Sequence, residues 1–327
     1  MLGLRFAIDL GTNNIRIFKE GKGIVLSEPS VVACDGFSGK VLAAGREAYD
    51  MTGRAPLSIS VVSPMRDGTV SDFEKTKLML EILLNRVLGT GVFKPNIIAC
   101  VKSGTENIEK HTILDVLTEL GAGKSHIMEE PLAAALGTGI DFSGIRGAMI
   151  ADIGGGTSDS AVVTMKSIAL SSGAKTAGNA LTEAVRRYVY TEKDIEIGFL
   201  TAENIKRVIG SAMPMQTEVA IISKGKDGIT GLPVSFEITS SEVYKAIKEP
   251  LEQTLTCIKE VLDRTPPELT ADLAYNGLTI TGGTAKMHQF GQYVASNIGI
   301  PTQIAPEPEL AVIKGMGKAL KEMEQFL

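Results

Sequence analysis

One short design occurs twice in this chain, and it restricts the fold more than any other feature. Phe6-Ala-Ile-Asp-Leu-Gly-Thr12 reads as a strand ending in Asp-x-Gly-Thr, followed by a second strand, Ile15-Arg-Ile-Phe18. Met149-Ile-Ala-Asp-Ile-Gly-Gly-Gly-Thr157 has the same plan and is followed by Ala161-Val-Val-Thr-Met165. The two aspartates, Asp9 and Asp152, lie 143 positions apart, close to one domain length. Glycines let such a turn adopt positive φ and leave room for a phosphate to reach backbone N–H groups. Threonine hydroxyls add donors, and an aspartate at the strand end suits a Mg²⁺ that keeps several waters. A lone Asp-x-Gly-Thr is more often a plain tight turn. Two copies in matched strand–turn–strand settings point instead to two jaws of one nucleotide-phosphate clamp.

Around the hairpins, strands alternate with helices. Strands are expected at Leu4–Leu10, Ile15–Phe18, Ile24–Leu26 and Val31–Cys34, with turn chemistry at Gly21-Lys22-Gly23 and Asp35-Gly36. Apolar spacing predicts a helix over Asp72–Leu88, a buried strand at Ile97–Val101, and a helix carrying Ile113, Leu117 and Leu120. Another helix is expected from Glu129, with Pro131 in its first turn and an end near Gly137 and Gly139. The second half restarts with strands at Ala148–Asp152 and Ala161–Met165. Helices then follow around Ala180–Tyr190, Ala202–Ile209, Glu242–Leu262 and Lys286–Asn297, and from about Glu309 onward. This order indicates an α/β protein with mixed sheets, and 327 residues suit about two domains. Gly121-Ala-Gly-Lys-Ser125 resembles the end of a P-loop, but Thr118 stands where the first glycine belongs and the segment follows a helix. Ala174-Lys175-Thr176 fails similarly, and both read as plain turns.

Several function classes are disfavoured. A formal net charge of -5 argues against bulk electrostatic binding of nucleic acid. Cys34, Cys100 and Cys257, like His111, His126 and His288, are scattered without metal-ligand spacing, and an odd, sparse cysteine count suits reduced thiols in the cytosol. No window approaches ~18 uninterrupted apolar residues, and Met1–Phe6 lacks the parts of a signal peptide. A cytoplasmic protein is expected.

Two phosphate hairpins plus a late Thr281-Gly-Gly-Thr-Ala285 resemble the superfamily of actin, DnaK-type chaperones and sugar kinases. Within it, the chain is most similar to the bacterial rod-shape family of MreB and Mbl. The similarity is carried by Ile8–Asn14, Gly21–Val32, Pro64-Met-Arg-Asp-Gly68 and Phe93-Lys-Pro95. It continues through Glu129-Glu-Pro-Leu-Ala-Ala-Ala135, Asp152–Thr157 and Arg264-Thr-Pro-Pro-Glu-Leu269, so that nearly the whole chain is covered in order. The resemblance implies a two-domain actin-like ATPase fold of duplicated ribonuclease H-like domains, with mixed sheets flanked by helices and ATP in the interdomain cleft. Domain I would comprise residues 1–137 plus 308–327, and domain II residues 138–307. It also implies homopolymeric filaments at the inner face of the cell membrane that work with the cell-wall elongation machinery.

Carried over residue by residue, the resemblance gives Asp9 a role in holding Mg²⁺ through water, while Gly11, Thr12 and Asn13 line the phosphate tail of ATP or ADP. Asp152 faces them as a catalytic residue, and Gly154, Gly155, Gly156 and Thr157 grip the β- and γ-phosphates. Glu130 matches the residue that orients the attacking water; the plainer alternative is a negative charge stabilising a helix N-terminus. Glu203 and Lys206 match nucleoside-contacting positions, although an exposed i, i+3 salt bridge would look the same. Gly282, Gly283 and Thr284 would let adenine lie against backbone. Membrane contact through Val92 and Phe93 is expected by resemblance, against ordinary packing of two apolar residues. The chain departs from the family pattern at Ile15, Lys102-Ser103, Ser158-Asp159, Asn179-Ala180 and Thr284, which puts the hydrolysis rate rather than the clamp in question. A small-molecule kinase or a chaperone-type ATPase on the same fold is the alternative function.

Overall fold

The computed structural model describes residues 4–88 and 94–321. The duplication seen in the sequence becomes two five-stranded mixed sheets of identical order. In the first, Gly23–Pro29, Asn14–Lys19 and Arg5–Leu10 run antiparallel in succession, and Asn96–Val101 and Lys124–Glu129 then join in parallel. In the second, Ser167–Ala174, Ser158–Thr164 and Ala148–Ile153 run antiparallel, and Leu278–Thr281 and Thr302–Ile304 join in parallel. The central strand of each sheet carries the aspartate of its hairpin: Asp9 in one, Asp152 in the other.

Two helices fill the space between the sheets. Glu130–Thr138 leaves the edge of the first sheet directly, and Ala311–Ala319 packs against it. One apolar layer joins Ala7, Ile98 and Met128 of the first sheet to Ile150, Ala161 and Val163 of the second through Ala133, Ala134, Val312 and Met316 of the helices. The helices approach so closely that a Cβ on Gly315 would overlap the Ala133 carbonyl, and one on Gly137 would overlap that of Ala311. Only glycine allows main chain to touch main chain here. Separate apolar cores lie in each half, around Phe6, Leu80 and Leu117 in the first and Val185, Ile205 and Ile258 in the second.

Several elements differ from expectation. Gly121–Gly123 form a turn, but Lys124 and Ser125 already belong to the edge strand Lys124–Glu129, so Glu129 caps the next helix rather than starting it. The expected single helix over Glu242–Leu262 is two, Ser240–Gln253 and Thr256–Arg264. Pro250, which cannot donate to the preceding turn, lies just ahead of the break. The helix expected at Lys286 starts only at Phe290, after Gln289 takes a left-handed φ of 59°. A 3₁₀ turn at Pro308–Leu310 precedes the last described helix. The hairpin Ala220–Asp227/Pro233–Thr239 and the small sheet of Val41–Ala44, Val32–Asp35 and Ile59–Val62 were not anticipated as units. Among the described residues, no helix is long and apolar enough to cross a membrane. Val92 and Phe93 lie outside the described residues.

Candidate functional site

The two hairpin turns meet face to face. A Cβ on Gly155 would overlap the Asn13 amide, and one on Gly156 would stand 2.5 Å from Thr12 Oγ1. The glycines therefore set how far the jaws close. Asn13 and Asn179 clasp each other across the cleft, each amide donating to the other at 2.8 Å. Thr12 Oγ1 accepts from the Gly68 N–H at 3.1 Å, which ties the first jaw to its own half.

Beside the jaws lies a cavity of about 470 Å³. Asp9, Gly11, Thr12 and Asn13 line it from the first hairpin, and Asp152, Gly154, Gly155, Gly156 and Thr157 from the second. Glu130 enters from the first turn of its helix, where Pro131 needs no hydrogen-bond partner. Glu203 and Lys206 border it on the helix Phe199–Ile209, and Gly282, Gly283 and Thr284 on the loop after Leu278–Thr281. Every sequence-derived site residue thus lines one cavity.

Buried carboxylates crowd the hairpin side. Burial pushes Asp152 up to about 6, against the Thr281 hydroxyl that donates to its Oδ1 at 2.6 Å, while Asp9 adds repulsion. Directly opposite Asp152 in the hairpin stands Asp159, pushed up to about 7 by burial. The Ser103 N–H, 2.8 Å from Asp159 Oδ1, works the other way, and Asp152 adds repulsion. Glu130 is held well above the usual carboxylate range by burial first, then by Asp159, Asp152 and Asp9. Like charges packed this tightly favour protonation until a cation arrives. The donor set therefore fits a site that receives positive charge. Among the described residues, no three carboxylate, His or Cys groups converge closely enough to chelate an ion directly.

The opposite side is organised by Lys206. Its Nζ donates to the Gly178 carbonyl and Thr182 Oγ1, both at 2.8 Å, and pairs with Glu203 at 2.6 Å. Glu203 also accepts from the Thr182 hydroxyl. Burial lowers the Lys206 pKa, with Glu203 opposing the shift. The pair is consequently no exposed surface salt bridge: a buried ammonium persists only with such partners. Thr284 Oγ1 donates to the Gly154 carbonyl at 2.7 Å, tying the glycine loop to the second jaw.

Other lining residues were not singled out beforehand. Arg16, Gly178, Arg207, Lys286 and Glu309 all border the cavity. Arg16 carried a signal, a charge between the buried Ile15 and Ile17 of its strand, and Gly68 lay in a segment already marked by resemblance. Lys286 and Glu309 meet only through folding, in an ion pair at 2.7 Å. Three departures from the family pattern also meet partners here: Ser103 binds Asp159, and Asn179 binds Asn13.

The family described as MreB/Mbl protein matches residues 4–327. The cell shape-determining protein Mbl of Bacillus subtilis is 39% identical over 327 residues, covering 100% of this chain and 98% of that protein. The cell shape-determining protein MreB of Escherichia coli is 36% identical over 324 residues, 97% of this chain and 93% of that protein. Among solved structures, MreB5 of Spiroplasma citri bound to AMPPNP superposes with a TM-score of 0.94 at 32% identity, covering 99% of this chain and 98% of that one. The same protein bound to ADP gives the same values.

Proposed function

The chain belongs to the MreB/Mbl family, and from that premise we propose that it is a filament-forming bacterial actin homologue, an ATPase that takes part in determining cell shape. The observation that carries the catalytic part is the meeting of two glycine-rich hairpins beside a cavity walled by Asp9, Glu130 and Asp152.

ATP lies in this cavity with its phosphates between the jaws, where the backbone N–H groups and hydroxyls of Thr12 and Thr157 are the donors. When bound, Mg²⁺ would supply charge neutralisation at the phosphates, and Asp9 is the residue that would hold it through water. Asp152, anchored by Thr281, faces Asp9 from the other jaw. Glu130 orients the attacking water. Burial raises its affinity for a proton, which suits a group that receives one as the water attacks. Glu203, Lys206 and the Gly282–Thr284 loop hold the nucleoside. Residues 1–137 with 308–327, and 138–307, are the two domains, with the helix pair at their junction. Cytoplasmic filaments at the inner membrane face, contact through Val92 and Phe93, and cooperation with the cell-wall elongation machinery rest on family membership alone.

ATP-dependent pelleting or light scattering tests the reading. Wild-type protein is expected to polymerise with ATP, and Asp152→Ala to lose both polymer and nucleotide-dependent thermal stabilisation with circular dichroism nearly unchanged. No polymer in any nucleotide, at any salt or on lipid, would refute filament formation.

A further inference from the structure

The two jaws are chemically unequal at one pair of equivalent positions. Each aspartate faces, across its hairpin, the residue seven positions later: Asp9 is opposite Arg16, whereas Asp152 is opposite Asp159. Directly opposed residues project to the same face. Arg16 therefore enters the cavity beside Asp9, and its Nη1 donates to Asp9 Oδ2 at 3.0 Å. Its Nε is buried without an acceptor. A buried donor left unpaired is unfavourable, and a guanidinium presents its N–H groups in a fork suited to phosphate oxygens.

The charge balance points the same way. A triphosphate entering this cleft meets Asp9, Glu130 and Asp152 on the hairpin side. Lys206 and Lys286 are engaged by Glu203 and Glu309, and Arg207 sits on the helix Phe199–Ile209. Among the described cations lining the cavity, Arg16 alone is carried on a phosphate hairpin.

We propose that Arg16 is a ligand of the nucleotide's phosphate tail: its guanidinium, held by Asp9 in the free cleft, donates to the polyphosphate and carries affinity that needs no divalent metal. This rests on the cleft being a nucleotide site.

The test is the dissociation constants of ATP, ADP and adenosine, measured by calorimetry in Mg²⁺ and in EDTA. Arg16→Met is expected to weaken ATP and ADP by about 10- to 100-fold, the range of charged hydrogen bonds, and adenosine by less than about twofold. The loss is expected to be larger in EDTA. Because Arg16→Met also leaves Asp9 unpaired, the same substitution is made on an Asp9→Asn background, where the preference against phosphates should persist. If Arg16→Met does not fold, Arg16→Lys carries the test, with a several-fold loss for ATP and none for adenosine. Unchanged ATP affinity, an equal loss for adenosine, or disappearance of the effect with Asp9→Asn would overturn the proposal. A wild-type protein that binds no nucleotide would refute the nucleotide site itself; one that binds ATP irrespective of Arg16 would refute only this assignment.

Discussion

Replacing Asp159 with Asn should change how the nucleotide-free protein responds to pH. Asp159 is fully buried, opposite Asp152, with one oxygen on the Ser103 N–H and Oδ2 without a partner. An unfolded aspartate titrates near pH 4, whereas burial lifts Asp159 to about 7 and Asp152 to about 6 in the fold. Below pH 4 both states hold the protons and the fold bears no penalty. Between pH 4 and 7 the folded chain keeps protons that the unfolded chain has lost, so stability falls as pH rises, with the loss complete near pH 8. For Asp159, the displacement from its ordinary value corresponds to about 4 kcal/mol. At the unfolding entropy typical of a chain this long, that is about 6 °C in melting temperature. Asparagine keeps the Oδ1 acceptor for Ser103 but never ionises. Because roughly 40 % of the Asp159 penalty is already present at pH 5, scanning calorimetry from pH 5 to pH 8 should show the wild type losing about 4 °C more than Asp159→Asn. Parallel losses in the two proteins would refute the electrostatic account of this carboxylate pair.

Two further outcomes follow from the site and the helix crossing. Glu130→Ala should retain ATP binding while hydrolysis slows at least about 10-fold, the low end for a positioned proton acceptor; an unchanged single-turnover rate would remove its catalytic role. Gly315→Ala places a methyl on the Ala133 carbonyl and should cost about 3 kcal/mol, read as a fall of about 4 °C in melting temperature; an unshifted melt would contradict backbone-to-backbone packing there.

The parts of the molecule legible in the sequence were those encoded locally. Each phosphate hairpin is specified by consecutive residues, and their repetition disclosed the duplicated sheets. Lys124–Glu129 escaped notice because its sequence, Lys-Ser-His-Ile-Met-Glu, is mostly polar, with only Met128 fully buried. Ala220–Asp227 was hidden for a related reason: neither face of that strand is fully buried, so lysines and glycine break the apolar alternation. Ser240–Arg264 kept helical periodicity through the break after Gln253, which periodicity alone could not disclose. At the site, Glu130 and Asp152 stood out by motif, but Arg16 gained meaning only once register set it opposite Asp9. The pairing of Ser103 with Asp159, 56 positions apart, exists only in three dimensions.

Where Glu130–Thr138 crosses Ala311–Ala319, glycines bring one main chain onto the other. An interface made of side chains can thicken or thin by changing rotamers; at Gly137 and Gly315 there are no rotamers to change. Bond lengths and atomic radii gauge the distance between the two sheets there, as a machined shim would, whatever occupies the cleft. The variable left to the molecule is the angle about that shim. Both jaws hang from the sheets it separates, so any change in the gap between them would have to come from turning about the crossing rather than from compressing it.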